Sequence, residues 1–192
     1  MFKDIIKPAL ILFLVCAVMT GALAYVNGVT KPIIEENSKR EKEEALSKVL
    51  PGAQSFSDPM DANKLKESGY KVGDFIQNLY IAENVGYVVE VAPKGYGGSI
   101  SMMVGITMNN EIAGIIITSH NETPGLGGKI ADKSFSDQYL GAIPSNGFNV
   151  VKRVPIDEGD IQAISGATIS SRAVTRGVSD AVDLVLSIAG GV

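Results

Sequence analysis

The densest run of chemically useful side chains is Ala163-Ile164-Ser165-Gly166-Ala167-Thr168-Ile169-Ser170-Ser171. It reads as a strand end, a glycine turn and a helix start lined with hydroxyls. A helix N-terminus carries N–H groups without intrahelical acceptors and the positive end of the helix dipole, so it suits an anion. Gly166 and Ala167 leave room for a phosphate to approach. The same residues also fit an ordinary N-cap, with Ser165 or Thr168 satisfying the first turn. A second run is Ser119-His120-Asn121-Glu122-Thr123-Pro124-Gly125-Leu126-Gly127. It follows a strand, is stiffened by Pro124, and offers His120, Glu122 and Thr123 to a ligand. Taken singly, these three read as a surface histidine and solvated polar groups. The chain has 1 His and 1 Cys. That excludes an internal disulfide and any cysteine-based metal or iron–sulfur centre, and leaves His120 without a second strong donor. No catalytic group and no metal site is assigned.

These runs need elements to hold them. From Thr168 to Ile188, apolar residues recur at Val174, Val178, Ala181, Val182, Val185 and Ile188. The spacing predicts an amphipathic helix packed on a sheet. Strands are expected at Tyr87–Val91, Ile100–Met108 and Ile112–Thr118, where β-branched and aromatic residues concentrate. Asn109-Asn110-Glu111 is a hairpin turn between the last two, and Gly95-Tyr96-Gly97-Gly98 is a loop between the first two. Ala131–Leu140 is a short helix candidate and Val150–Val154 a further strand. Residues 53–78 carry no clear pattern. The expected class is α+β, an antiparallel sheet with helices against it.

A net charge of −4 with scattered basic residues gives no footprint for nucleic acid. From Pro8 to Thr30 there is no charged residue. This stretch of about 23 residues is roughly 35 Å long as a helix, enough to cross a bilayer. Ala22-Leu23-Ala24 resembles a signal-cleavage site, but the apolar run continues past it and exceeds a usual signal core, so a retained anchor is expected. Cys16 lies in mid-span as a small apolar residue. Lys3 and Lys7 precede the span, while Lys31, Lys39, Arg40 and Lys42 follow it, so counting charges does not orient it. Residues 31–52 form a charged stalk helix, with Pro32 in its first turn and Pro51-Gly52 ending it. The stalk has an intermittent apolar face, and a solvated charge run without a partner fits it equally. The expected organisation is an anchor over 1–30, a stalk over 31–52 and a domain over 53–192.

Ser165-Gly166-Ala167-Thr168-Ile169-Ser170-Ser171 resembles the flavinylation motif of the FMN-binding domain. That domain occurs in the G subunits of Rnf ion-translocating ferredoxin:NAD oxidoreductase complexes. The C subunits of sodium-translocating NADH:quinone reductases carry it too. The HNETPGLG loop, Lys94-Gly95-Tyr96-Gly97-Gly98 and the single N-terminal span resemble the same family, in order and spacing. One position departs from the pattern. The family often has an acidic residue six positions before the modified threonine, where this chain has Gln162, with Asp160 two residues earlier.

The resemblance implies FMN joined through its phosphate to Thr168 as a phosphodiester, installed from FAD by a separate flavin transferase. A threonine hydroxyl is a poor nucleophile, which fits the need for that second enzyme. The implied cofactor-binding residues are Thr168, Ser165, Gly166, Ala167, His120, Glu122, Thr123, Leu126 and Gly127, with Glu122 and Thr123 close enough to tune the ring. Arg172, one turn on, is a candidate partner for the phosphate. The implied partners are the other Rnf subunits, the transferase and membrane lipid. The implied place is a prokaryotic cell membrane, with the N-terminus cytoplasmic and the FMN domain on the outer face. The quinone-reductase homologue is generally larger, so the short chain favours the G subunit of an Rnf complex. A membrane-tethered ligand-binding module without a redox role is the reading from another class.

Overall fold

The computed structural model describes residues 2–190, without the side chains of residues 2–5 and 35. The chain falls into two compact units, Met1–Glu43 and Glu44–Val192. The first unit is helical. Helix α1 runs over Phe2–Val49 and passes through Pro8 and Pro32 without a break. A stalk helix starting at Pro32 is therefore not what forms. A proline removes one i→i−4 bond, and the neighbouring turns carry the helix past it. Long apolar side chains lie exposed all round the span, Phe13 at 74% and Leu23 at 71%. A helix apolar on every side belongs in a membrane or a large core. None of the apolar stretch is buried by the protein, and it is long enough to cross a bilayer.

The second unit is built on one six-stranded antiparallel sheet. Its strands are β1 (Met60–Asp61), β2 (Ile76–Ala82), β3 (Gly86–Val91), β4 (Ser101–Thr107), β5 (Glu111–Ser119) and β6 (Gly141–Ala142), in that spatial order. Strands β2 to β5 are rich in Ile, Val, Met and Tyr, which suit a pleated surface buried on both faces. Asn84 and Asn110 take left-handed conformations, φ 57° and 58°, in the turns between β2 and β3 and between β4 and β5. Asparagine tolerates that region at low cost. Strand β1, short helix α2 (Ala62–Glu67) and the first three residues of β2 lie in the stretch 53–78, whose sequence shows no clear pattern. The segment expected as one helix at Ala131–Leu140 is instead a 3-10 turn at Gly127–Ala131, one turn of helix α3 (Lys133–Ser136) and a second 3-10 turn at Asp137–Tyr139. Phe135 and Tyr139, which pack edge to face at 5.8 Å, are buried under the sheet and hold these turns in place. Strands β7 (Asn149–Val151) and β8 (Asp160–Gln162) form a separate parallel pair.

Helix α4 (Thr168–Ala189) covers one face of the six-stranded sheet. Its stripe of Val174, Val178, Ala181, Val182 and Val185 meets Val89, Val91, Met102 and Val104 in the main core. Gly177 sits where a Cβ would lie 2.5 Å from the Met102 side chain and 2.9 Å from Pro93. The helix therefore rests close against the sheet at that level. The opposite face is covered by the last turn of α1, whose Ala45, Leu46 and Val49, with Leu50, pack on Tyr80, Val88 and Met103. This end of the charged stalk therefore has a packing partner.

Candidate cofactor site

The sequence Ile164-Ser165-Gly166-Ala167 folds into a four-residue turn closed by the Ala167 N–H donating to the Ile164 carbonyl at 2.9 Å. Gly166 is its third residue at φ +78°, the conformation a type II turn asks of that position. The turn delivers the chain into α4 with Thr168 as the first helical residue. The N-cap is Ala167, and no side chain caps the helix. The ordinary-cap reading of Ser165 and Thr168 thus fails. Ser171 ties the turn instead, its Oγ accepting from the Ile164 N–H at 3.0 Å and donating to the Ala167 carbonyl at 3.0 Å. The hydroxyl of Thr168 makes no hydrogen bond among the described residues. It is half-buried at the open end of a 22-residue helix, beside first-turn N–H groups that have no acceptor within the helix.

A second turn faces it. Thr123-Pro124-Gly125-Leu126 closes with the Leu126 N–H on the Thr123 carbonyl at 3.1 Å. Proline is second and Gly125, at φ +76°, is third, again the type II requirement. Before this turn stands Glu122, only 5% exposed. Its Oε1 accepts from the Gly97 N–H at 2.9 Å and its Oε2 from the Ser170 hydroxyl at 2.5 Å. A buried carboxylate is costly unless its oxygens are bonded, and here both are. A Cβ on Gly95 would lie 2.3 Å from Oε1, and one on Gly127 2.5 Å from Oε2. One side chain thus joins the Gly95–Gly98 loop, the Pro124 turn and the first turn of α4.

Between these walls lies a cavity of about 810 Å³, a size typical of cofactor sites. Ser165, Gly166, Ala167, Thr168, Glu122, Thr123, Leu126 and Gly127 all border it. His120 does not; its Nδ1 accepts from the Glu122 N–H at 3.2 Å. Arg172, four residues on from Thr168, does not border it either; it lines a neighbouring groove with Arg176 and Phe148. The cavity also takes in Tyr96, Lys152, Gln162, Ile169 and Ser170, which sequence reasoning does not assign. Tyr96 is 73% and Ile169 54% exposed. An uncovered aromatic in a glycine loop is the available signal for the first, and Ser170 belongs to the hydroxyl-lined helix start; Lys152 has none.

Asp160, two residues before Gln162, is not a free acid beside the cavity. Burial raises its pKa, but N–H donors from Ile156 and Asp157, the Asn149 amide and the Arg153 guanidinium outweigh that and hold the carboxyl below its ordinary range. The Arg153 contact is 2.9 Å. Gln162 is pinned through its backbone, its N–H donating to Gln138 Oε1 at 2.7 Å.

Known proteins match both the domain and the N-terminal segment of this chain. The FMN-binding domain model matches residues 95–183, and the RnfG N-terminal region model matches residues 1–49. The chain is 37% identical over 192 residues to the G subunit of the Na(+)-translocating ferredoxin:NAD(+) oxidoreductase complex of Acetobacterium woodii, covering 95% of this chain and 92% of that one. It belongs to the RnfG family. A second member, the G subunit of the proton-translocating ferredoxin:NAD(+) oxidoreductase complex of Clostridium ljungdahlii, is 32% identical, covering 94% and 91% of the two chains. The crystal structure of Shewanella oneidensis NqrC superposes with a TM-score of 0.56 at 18% identity, covering 80% of this chain and 97% of that one. At that identity the likeness is one of fold. The FMN-binding domain match spans both turns, the Glu122 bridge and most of α4.

Proposed function

We propose that this RnfG-family chain is the electron-carrying subunit of a membrane-bound ion-translocating ferredoxin:NAD oxidoreductase, with FMN joined through its phosphate to Thr168 Oγ1. The observation that carries the reading is the uncommitted Thr168 hydroxyl, presented by a type II turn at a helix start on the wall of a cofactor-sized cavity. The residues fit the group. The first-turn N–H groups of α4 suit the phosphodiester's charge, and Lys152 adds a cation on the same cavity. Gly166 keeps the turn free of a side chain where the phosphate must approach. Tyr96, Leu126 and Ile169 supply exposed apolar surface for a flat ring. Once bound, FMN supplies one- and two-electron transfer; the protein supplies orientation and electrostatics.

In the attachment step a bond forms between Thr168 Oγ1 and the phosphorus of the FMN half of FAD. The pyrophosphate P–O bond breaks, AMP leaves, and the hydroxyl proton passes to a base of the transferase that performs the step. Thr123, Leu126 and Gly127 then border the bound group, with Glu122 behind them. The other subunits of the complex, the transferase and membrane lipid are the partners. The N-terminus lies in the cytoplasm of a prokaryotic cell and the domain on the outer face.

Two measurements test this. Intact mass of the membrane-expressed protein is expected to show the addition of one FMN less one water, and Thr168→Ala to abolish it while keeping the fold; flavin retained after denaturation of Thr168→Ala defeats the assignment. For the sidedness, a cysteine placed at exposed Ser145 in a Cys16→Ser background is expected to react with a membrane-impermeant reagent in cells whose outer membrane, if present, is permeabilised. Labelling only after lysis reverses the topology.

A further inference from the structure

Among the residues bordering the cavity, Glu122 is the one acid, and it forms no ion pair among the described residues. A carboxylate's charge acts on a neighbouring group through space, so tuning by charge does not require either oxygen to be committed. Here the two oxygens are spent on Gly97 N–H and Ser170 Oγ, and the latter bond spans 48 positions of sequence. Gly95 and Gly127 lie so close to those oxygens that a side chain at either would displace them. Gly97 is held from the other side, where a Cβ would meet the Asn121 carbonyl oxygen.

We infer that Glu122 is a positioning residue: its carboxylate sets the separation of the Gly95–Gly98 loop, the Pro124 turn and the first turn of α4, so that the pocket for the ring is shaped before anything is attached at Thr168. The inference rests on the cofactor reading above and extends it to how the far end of the cofactor is held. Attachment at Thr168 fixes the phosphate end alone. The ring's freedom is then decided by walls that belong to three separate segments, and among the described residues Glu122 is the side chain that ties them together. Charge and bridge are separable in this geometry. A glutamine has the same shape; its amide oxygen can accept from Gly97 N–H and its NH₂ can donate to Ser170 Oγ, keeping the bridge without the charge. Alanine removes both.

The test uses the full-length, flavinylated protein in membranes or detergent, with flavin content followed by mass and ring mobility by fluorescence anisotropy. Glu122→Ala is expected to keep the mass increment but lower the anisotropy toward that of a ring tethered by its phosphate alone. Glu122→Gln is expected to restore it. Wild-type anisotropy in Glu122→Ala overturns the inference, as does a Glu122→Gln protein as loose as the alanine variant, because that outcome assigns the effect to charge. If Glu122→Ala does not fold, Ser170→Ala carries the test, since it cuts one of the two bonds: lowered anisotropy supports the bridge and an unchanged value overturns it. Amide exchange at Gly97 in a Thr168→Ala background reads the bridge without any attached flavin. There, adding Ser170→Ala or Glu122→Ala is expected to speed exchange on the order of tenfold, the usual weight of a hydrogen bond to a charged group, and unchanged exchange overturns it. This arm stays informative if the attachment site itself proves wrong.

Discussion

One face of the six-stranded sheet is covered by side chains and the other, at its centre, by backbone. Helix α4 lays a full apolar stripe on the first face, with Val178, Ala181 and Leu184 completely enclosed. On the second face the last turn of α1 presses against Gly105 and Gly114, which are paired across β4 and β5. A Cβ on Gly105 would lie 2.2 Å from the Val49 carbonyl oxygen, and one on Gly114 2.7 Å from the same atom. The first arrangement spreads its stabilisation over many contacts, each replaceable by another apolar group of similar volume. The second depends on two positions having no side chain at all. The difference matches what each helix does. α4 must hold Thr168 at a defined place over the sheet, whereas the end of α1 must close the second face with little more than one turn of chain.

The comparison is broken most strongly from the α4 side. Leu184→Ala is expected to cost about 3 kcal/mol, within the usual range for a buried leucine, read as a lowered urea midpoint of the domain. Gly105→Ala adds a methyl where backbone cannot yield, and is expected to cost about 2 kcal/mol. Its diagnostic is greater protease sensitivity around residues 44–50 with the α4 core retained. If Gly105→Ala is neutral, the close approach of Val49 does not determine how that turn is seated. The smallest effect concerns the β7–β8 pair beside α4. The folded-state pKa of Asp160 lies below its ordinary value, so its contribution to stability is present above the unfolded carboxylate range, near pH 4, and is lost as pH falls through the lower folded value. Asp160→Asn is therefore expected to be less stable than wild type at neutral pH and to converge with it in acid. A gap in melting temperature that stays constant from pH 7 to pH 3 would remove the Arg153–Asp160 tie as the cause.

Much of this unit is legible before folding. The stripe from Val174 to Val185 predicts α4 and its buried face, because helical periodicity is a local property. The β-branched runs predict β3, β4 and β5 for the same reason. Pro124-Gly125 and Ser165-Gly166-Ala167 are turns whose chemistry is written in adjacent residues. Residues 53–78 are not legible, since β1 is two residues long and β2 opens with polar Gln77 and Asn78 after Ile76. The broken helix near Ala131 departs from its sequence pattern because its shape follows the burial of Phe135 and Tyr139 and not its own propensity. Proximity in sequence points Arg172 and His120 at the cofactor, yet neither borders the cavity: Arg172 lines a neighbouring groove and His120 accepts from the Glu122 N–H.

By itself, then, the sequence determined an apolar span with no charge from Pro8 to Thr30, a sheet-forming centre, an amphipathic closing helix and a threonine at a glycine turn. These follow from composition, period and turn chemistry acting over a few residues. Only the tertiary structure decided that Thr168 is left without a hydrogen bond among the described residues while Ser171 secures its turn. It alone brought Glu122 to Gly97 and Ser170, and it alone turned Gly105 and Gly114 from weak strand formers into the seat of the α1 end. Each of these depends on which distant backbone arrives beside which. That outcome is set by strand register and helix packing across long separations, where local propensity carries no information.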